Sequence, residues 1–336
     1  MTAERTRANS EFFTAESARL AALCDEMAQR FVRGGRLLAV GEESDARHVA
    51  VEFVHPVIVG KRALPALALP RDALALEAEP DDIVVDFHDD VTILGQTFSP
   101  PTDDHFVRQE LIETLYHVLW ELVHVFLEHR EGSPVDAGAA SFLYPFLGGT
   151  TDLDAVRADV RRSIELKAAE IGALREQTLA ENADALAAAA VPGRVLALGN
   201  GGSATDAMDL VADLRARGRR ALDLTDDPAV LTAIANDIGV EAIFARQVIA
   251  HGRAGDALVT LSTSGSSANV IAALAEGRRR GLATIAFVGY DGGRIAAESL
   301  ADHVIVVRSE HIPRIQEAQA AAYHTLVELM CGSVRV

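Results

Sequence analysis

The residues from Arg194 to Ala212, RVLALGNGGSATDAMDLVA, constrain the fold of this chain more than any other stretch. The apolar run Val195–Leu198 predicts a short buried strand, and it ends at the glycine-rich segment 199–203, after which a helical pattern begins. Glycines permit sharp turns and let backbone amides come close to an anion. Ser203 stands where a helix N-cap is expected, and the free amides of a first helical turn attract negative charge. The stretch therefore predicts either an anion-binding loop or an ordinary strand-to-helix turn.

A second segment, DALVTL at Asp256–Leu261, has the same organisation. It predicts another buried strand, followed by a loop with a single glycine, Gly265, and then a helix over 270–280. Hydroxyls together with helix amides bind a phosphate monoester without a lysine. Loops at the ends of two parallel strands converge where α/β folds bind ligands, so the pair favours a phosphate site. The hydroxyl side chains of this loop are Ser262, Thr263, Ser264, Ser266 and Ser267.

Five motifs in one ordered series resemble the sugar isomerase (SIS) domain: GNGGSATDAMDLVADL, AND (235–237), STSGSSANV, DGG (291–293) and RIQE (314–317). Within that family they are most similar to phosphoheptose isomerases, which interconvert sedoheptulose 7-phosphate and a heptose 7-phosphate. The resemblance covers residues 151–330. It implies an α/β fold, a three-layer, doubly wound parallel sheet of the flavodoxin-like type with additional helical-bundle elements.

The resemblance also implies which residues bind substrate, and where this chain departs from the family. Asp209 and Asp213 stand where the family has His and Glu, and Pro313 stands at a position that resembles a substrate-contacting Asp. These departures put the contacts of those positions in doubt. The implied substrate-binding residues are Asn200, Gly201, Ser203, Asp237, Ser262, Thr263, Ser264, Ser267 and Gln316.

Composition limits the partners that the chain can have. A length of 336 residues suffices for two domains. The net charge of −18 disfavours nucleic acid and anionic membranes, so local amides and hydroxyls must hold an anionic substrate. Only Cys24 and Cys331 occur, and the N-terminal residues lack an apolar signal core. We expect a cytoplasmic protein that uses no nucleotide cofactor.

The first part of the chain repeats the second in a shortened form. Arg36–Gly41, RLLAVG, is close to RVLALG at Arg194–Gly199. The frame of Gln-Glu, five residues, then Tyr-His occurs from Gln109 to His117 and from Gln316 to His324. These matches predict an internal duplication. We expect a degenerate SIS-like domain over 1–130, a linker over 131–150 and an intact SIS domain over 151–336.

Other segments extend the repeat. Residues 62–67 and 82–87 predict a second and a third strand, and Val91–Leu94 parallels the strand His303–Val306. The first copy has acidic residues where the second copy has its glycine-rich and hydroxyl loops. These residues are Glu42-Glu43-Ser44 and His88-Asp89-Asp90. Negative charges repel phosphate, so we expect this copy to bind no sugar phosphate alone.

The first copy carries candidate metal ligands. His48 and Glu52 are four residues apart and share one helix face, and Gln109 and His117 are two turns apart on another helix. Such side chains can bind a divalent metal such as Zn²⁺. The resemblance matches His48, Glu52, Gln109 and His117 to the metal site of some phosphoheptose isomerases. The alternatives are a surface His–Glu pair and histidines buried in a helix bundle.

The expected reaction is aldose–ketose isomerisation through an enediol. It needs a base at carbon, help at oxygen and an anchored phosphate. We assign catalytic roles to Glu52, His117, Asp213 and His324, with the second copy supplying the phosphate loops. The alternative is a non-catalytic SIS protein that senses a sugar phosphate or acts as an assembly factor; an amino-sugar phosphate isomerase is a weaker third. Resemblance to tetrameric relatives implies a homodimer.

Overall fold

A computed structural model describes residues 2–56, 61–88, 90–130 and 152–332 of the chain. It divides the chain into two compact units, Met1–Ala173 and Leu174–Val336. The predicted linker over 131–150 lies outside the described residues, as does Asp89 of the predicted carboxylate loop. The division differs from the predicted boundary at 151, because Val156, Val160 and Ile164 are buried in the hydrophobic core of the first unit.

The first unit contains a small sheet and long helices. Helix α5 begins in this unit and continues past its end. The elements are α1 (Thr2–Val32), β1 (Leu37–Gly41), α2 (Glu43–Val54), β2 (Ala66–Ala68), α3 (Leu74–Glu77), β3 (Ile83–Phe87), β4 (Val91–Ile93), β5 (Gln96–Phe98), α4 (His105–Arg130) and α5 (Leu153–Glu181).

The sheet of the first unit has the order β2-β1-β3-β4-β5. Strands β2 and β3 both pair with β1 in parallel, as a doubly wound repeat requires. The prediction for Val91–Leu94 as the counterpart of a parallel strand is wrong, because β4 pairs with β3 in the antiparallel sense and β5 continues the hairpin. The turn explains the reversal: Leu94 and Gly95 have φ values of 49° and 76°, and two consecutive positive φ angles make a tight hairpin turn.

The second unit alternates strands and helices. Helix α5 enters it from the first unit, and a short 3₁₀ helix lies at Val240–Ala242. The elements are α6 (Ala183–Ala189), β6 (Val195–Leu198), α7 (Gly202–Ala216), β7 (Ala221–Asp223), α8 (Pro228–Asp237), α9 (Ile243–His251), β8 (Ala257–Ser262), α10 (Ala268–Arg279), β9 (Ala283–Gly289), α11 (Gly293–Ala297), β10 (His303–Val307) and α12 (Ile312–Cys331).

The sheet of the second unit is parallel throughout, in the order β10-β9-β8-β6-β7. Counted from β6, the order is 2-1-3-4-5, which is the flavodoxin-like arrangement, so the predicted fold class is confirmed. Leu196 and Leu198 pack in a core with α9 and α10, while Val195 and Ala197 on the opposite face are also fully buried. Both faces are therefore covered, as expected for a parallel sheet.

The order places a topological switch point between β6 and β8. Helices that follow these two strands leave the sheet in opposite senses, and ligands of doubly wound folds bind at that crevice. The glycine-rich loop follows β6 and the hydroxyl loop (262–267) follows β8, so both meet at this edge. Among the described residues, no helix is both long enough and apolar enough to cross a membrane.

Candidate functional site

A cluster of two histidines and a glutamate is buried in the first unit. Helix α2 places His48 and Glu52 one turn apart on its buried face, and α4 contributes His117. His48 Nε2 lies 3.8 Å from Glu52 Oε1, and the rings of His48 and His117 are 5.2 Å apart. One ligand atom from each residue lies within 4.8 Å of the others, and each residue is at most 3% exposed. Burial therefore excludes the alternative of a surface pair for His48 and Glu52.

Burial determines the electrostatics of this cluster. It raises the pKa of Glu52 to about 8 and lowers the pKa of His48, an effect that His117 reinforces by charge repulsion. Within the described residues, Glu52 Oε2 is buried and accepts no hydrogen bond. A divalent cation would compensate a buried carboxylate and use neutral imidazoles as ligands, and two imidazoles with one carboxylate are typical zinc ligands. His48, Glu52 and His117 thus fit a metal site.

Neighbouring side chains orient the cluster. The Tyr116 hydroxyl and His48 Nδ1 share a hydrogen bond of 2.9 Å, which fixes the ring with Nε2 towards Glu52. Such bonds to the second ring nitrogen orient metal-binding histidines. The amide of Gln109 donates to Asp45 Oδ1 at 2.7 Å. Three of the four predicted ligands come together, and a role for Gln109 as the fourth stays a prediction.

The second unit has a corresponding cluster on its own helices. Helix α7 carries Asp209 and Asp213, one turn apart, and α12 carries Tyr323 and His324. His324 Nε2 lies 3.3 Å from Asp209 Oδ2 and 3.6 Å from Asp213 Oδ2. The Tyr323 hydroxyl donates to Asp209 Oδ2 at 2.8 Å. Asp209, Asp213 and His324 could also hold a cation, with more oxygen than nitrogen ligands.

Arg217 distinguishes the second cluster from the first. Its guanidinium donates to Asp213 Oδ1 at 3.0 Å, so it balances the charge of a carboxylate that is only 3% exposed. Asp213 is thereby held beside the fully buried imidazole of His324. A carboxylate and an imidazole this close together can act as a pair in general acid–base chemistry.

The glycine-rich loop is built from close backbone contacts. A Cβ atom at Gly199 would lie 2.1 Å from the carbonyl oxygen of Ser203, so only glycine fits. Gly201 has φ 58° and is the N-cap of α7, which begins at Gly202. The prediction of Ser203 as the N-cap is therefore wrong. Ser203 lies buried in the first turn of the helix. In this first turn the amides of Ser203 and Ala204 donate to the carbonyl oxygens of Asn200 and Gly201, at 3.1 and 2.9 Å.

The hydroxyl loop uses its oxygens to fold itself. Ser262 Oγ accepts from the amide of Gly265 at 3.2 Å, and Ser264 Oγ accepts from the amide of Ser266 at 3.3 Å. Ser267 is the N-cap of α10 and makes no side-chain cap bond. A hydroxyl that accepts from the backbone still has its own proton to donate to phosphate oxygen. The loop therefore presents several donors at a helix N-terminus.

Two asparagines join the loops across the switch point. Asn200 Nδ2 donates to Asn269 Oδ1 at 3.0 Å, and Asn269 Nδ2 donates to Asn200 Oδ1 at 2.9 Å. The reciprocal pair fixes the spacing between the glycine-rich loop and the start of α10. The glycine-rich loop and the start of α10 therefore adjoin each other at the switch point.

The remaining predicted residues lie on other elements of the second unit. Gln316 is 2% exposed on α12, two turns before His324. Asp237 is the exposed last residue of α8 and accepts from the Asn236 side chain at 2.7 Å. Pro313 lies in the first turn of α12, where a proline needs no amide partner.

Sequence reasoning missed the residues that support the site. Tyr116 and Tyr323 bond to His48 and Asp209, and the repeated Tyr-His dipeptide carried this signal. Asn269 lies within the quoted STSGSSANV motif, but its partner is distant in sequence. Arg217 follows the last residue of α7 and is four residues after Asp213. This spacing could have revealed their ion pair.

Fold and loops together define a doubly wound α/β protein whose glycine-rich and hydroxyl loops lie at its switch point. The SIS domain profile matches residues 161–289. The phosphoheptose isomerase of Roseiflexus sp. (strain RS-1) is 40% identical over 190 residues, covering 53% of this chain and 90% of the relative. That of Geobacter sp. (strain M21) is 41% identical over 187 residues, covering 53% and 95%. The chain therefore belongs to the SIS-domain family, together with relatives named phosphoheptose isomerase.

A solved structure extends the likeness of fold to the whole chain. Tagatose-6-phosphate ketose/aldose isomerase from Escherichia coli has a TM-score of 0.55 and covers 98% of this chain and 92% of its own. At 14% sequence identity this likeness concerns the fold alone.

Proposed function

We propose that this chain is a phosphosugar isomerase that interconverts sedoheptulose 7-phosphate and a heptose 7-phosphate. One observation carries the proposal: helix α7 begins in the glycine-rich loop of the phosphate site and carries Asp213, which lies 3.6 Å from the imidazole of His324. Anion binding and acid–base groups thus belong to adjacent parts of one unit. The relatives named phosphoheptose isomerase support the choice of substrate.

The phosphate is held without a lysine. In this proposal the serine and threonine hydroxyls and the amides at the N-terminus of α10 donate to its oxygens. Binding energy from this non-reacting group orients the carbons that react. Asn200, Gly201, Ser203, Asp237, Ser262, Thr263, Ser264, Ser267 and Gln316 are the assigned substrate-binding residues.

The reaction moves one proton between adjacent carbons. A carboxylate removes the proton from C1 of the ketose while the C2 carbonyl oxygen gains a proton, which gives the enediol. Return of a proton to C2 and loss of the O1 proton gives the aldose. Asp213 is assigned as base and His324 as the group that moves protons at oxygen.

The cluster of the first unit is assigned to a divalent metal. His48, Glu52 and His117 would hold it, with Gln109 as a further ligand. Polarisation of a substrate oxygen is the chemistry that such an ion supplies when bound. Glu52 and His117 keep the catalytic roles that the sequence analysis assigns to them, as members of this cluster.

A non-catalytic sugar-phosphate sensor is the second candidate. The ion pair between Arg217 and Asp213 favours it, because a guanidinium at 3.0 Å makes the carboxylate a weaker base. Pro313, which stands where the resemblance implies an Asp, favours it as well. A sensor would retain the phosphate loops and bind the same ligand without turnover.

Turnover of sedoheptulose 7-phosphate by matched variants tests the proposal. We expect D213N, H324N, E52Q and H117N each to lower kcat by about 10²- to 10⁴-fold with substrate binding retained. S264A removes a phosphate donor and should mainly raise KM. The exposed acids Asp184 and Glu170 supply the controls D184N and E170Q, which should match the wild type. A wild type that binds the sugar without converting it supports the sensor instead.

A further inference from the structure

The turn after β9, Tyr290–Gly293, has no role in the chemistry proposed above. It contains the DGG motif, and its backbone is unusual at several positions. Tyr290 has φ 54°, and Gly292 and Gly293 have φ values of 94° and 54°. A tyrosine in the left-handed region is uncommon, and such strain persists where the surrounding structure requires it.

The segment around this turn bonds to the hydroxyl loop at three points. The amide of Gly289 donates to the Thr263 carbonyl at 3.0 Å. The amide of Ile295 donates to the Gly265 carbonyl at 2.9 Å. The amide of Arg294 donates to Ser266 Oγ at 3.1 Å. Each bond ends on a different residue of the loop, so the residues that flank the turn hold the loop along its length.

The backbone of the Tyr290–Gly293 turn also contacts the backbone of the hydroxyl loop directly. A Cβ atom at Gly265 would lie 2.2 Å from the carbonyl oxygen of Gly292. A Cβ atom at Gly293 would lie 2.3 Å from the Ser264 carbonyl oxygen and 2.6 Å from Ser266 Oγ. Real Cβ atoms do not approach backbone so closely, and the obstacles are mostly main-chain atoms that cannot rotate away. Glycine is therefore required on both sides of the contact.

The hydroxyls held in this way are open to a ligand. Ser264 and Ser266 are exposed and line an open cavity of 780 Å³. Displacing the loop by a few tenths of an ångström would change where these donors point. Phosphate binding depends on several donors that converge at once, so a small displacement affects all of them together.

We propose that the Tyr290–Gly293 turn is a positioning element for the phosphate site, with Gly293 as its decisive positioning residue. The proposal rests on the proposed function, because it assumes that the hydroxyl loop binds phosphate. It adds that the geometry of the donors is set by a neighbouring glycine turn rather than by the loop sequence alone.

G293A tests the proposal, with G255A as the matched control. Gly255 also has positive φ, 87°, but a Cβ atom there would meet nothing within 4 Å. Both variants carry the strain of a left-handed alanine, and only G293A pushes on the hydroxyl loop. The probe is inorganic phosphate, titrated by calorimetry. We expect G293A to bind it about tenfold more weakly than the wild type and G255A to match the wild type within about twofold.

Hydrogen exchange separates failure of this inference from failure of the proposed function. We expect the amides of Gly289 and Ile295 to exchange about tenfold faster in G293A than in G255A. If the wild type binds no phosphate, the proposed function fails, and the exchange rates alone decide whether the turn holds the loop. Equal phosphate affinity and equal exchange in G293A and G255A overturn the inference.

A second variant covers a folding failure of G293A. S266A keeps every glycine and removes only the oxygen that accepts from Arg294. We expect the amides of Arg294 and Ile295 to exchange several-fold faster in S266A than in the wild type, because one of the three bonds is lost. Unchanged exchange at both amides would overturn the inference.

Discussion

The two clusters have the same frame and different donors. In each, a helix carries two polar residues one turn apart, and a second helix adds a Tyr-His dipeptide whose hydroxyl bonds to the first of them. The first unit offers His48, Glu52 and His117, while the second offers Asp209, Asp213 and His324. Nitrogen-rich sets favour zinc and oxygen-rich sets favour harder ions. Arg217 further reduces the attraction of the second cluster for a cation.

Zinc content should therefore follow the first cluster. After incubation with Zn²⁺ and gel filtration, we expect about one zinc ion per chain in the wild type and in D209N. H48A should lose most of the metal, because one imidazole and its orientation by Tyr116 are removed. Elemental analysis gives the ratio directly. Zinc that is lost in D209N and kept in H48A would place the metal in the second unit and contradict this prediction.

The raised pKa of Glu52 predicts a pH dependence of stability. In metal-free protein the folded state retains this proton up to a pH of about 8, whereas the unfolded carboxyl loses it near 4.5. The folded state binds more protons in that window, so the free energy of unfolding falls as pH rises through it and levels off above it. E52Q has no such proton, so it should gain stability over the wild type as the pH rises from 5 to about 8.

Urea unfolding with a chelator, followed by the fluorescence of Trp120, measures this effect in the first unit. Trp120 is the single tryptophan of the chain and is fully buried on α4. A stability difference between E52Q and wild type that does not change with pH would contradict the assignment.

At the scale of single residues, the sequence was enough to predict which side chains lie close together when both are on one helix. His48 with Glu52 and Asp209 with Asp213 follow from a separation of one turn. The partnership of Asn200 with Asn269 does not, because it depends on how β6 and β8 lie in the sheet. Burial is also hidden in the sequence: spacing left a surface pair open for His48 and Glu52, and their side chains are only 2% and 3% exposed.

At the scale of elements, the strand order of the second unit followed from its motifs, whereas the end of the first sheet did not. The match to the second copy identified Val91–Leu94 as a strand but not its direction. The direction is set by the Leu94-Gly95 turn, which lacks the Asn-Gly or Asp-Gly signature of such hairpins. Local sequence therefore misled where a turn of unusual composition reversed the chain.

Helices α1 and α4 are joined by a buried ion pair whose loss should be costly. Arg5 Nε donates to Glu110 Oε1 at 2.9 Å and to Oε2 at 3.0 Å, with both side chains at most 3% exposed. E110A leaves a buried guanidinium without this carboxylate, and we expect a loss of about 3 kcal/mol. Urea unfolding followed by Trp120 fluorescence measures it.

An ion pair on the surface of α1 is the control. Arg7 and Glu11 are both 58% exposed, and E11A should cost at most about 0.5 kcal/mol. Equal losses in E110A and E11A would show that burial of the pair has no bearing on its contribution.

For the whole molecule, the charge distribution matters most for the proposed activity. With 49 acidic and 31 basic side chains, the chain repels an anionic substrate at long range. A phosphate bound at the loops of the second unit would have to be attracted by local groups, such as the hydroxyls of Ser264 and Ser266 and the Arg308 side chain that lines the same cavity. Net charge and loops were both evident in the sequence, while the division of the chain inside α5 was not, because it depends on tertiary packing.

Isomerisation in heavy water tests the proposed activity most directly. The wild type is incubated with sedoheptulose 7-phosphate in D₂O and the sugar is followed by proton NMR. Proton transfer through an enediol predicts an aldose 7-phosphate that carries deuterium at C2, with D213N giving none. Sugar resonances that broaden on binding while no aldose forms would contradict the isomerase and leave the sensor as the function.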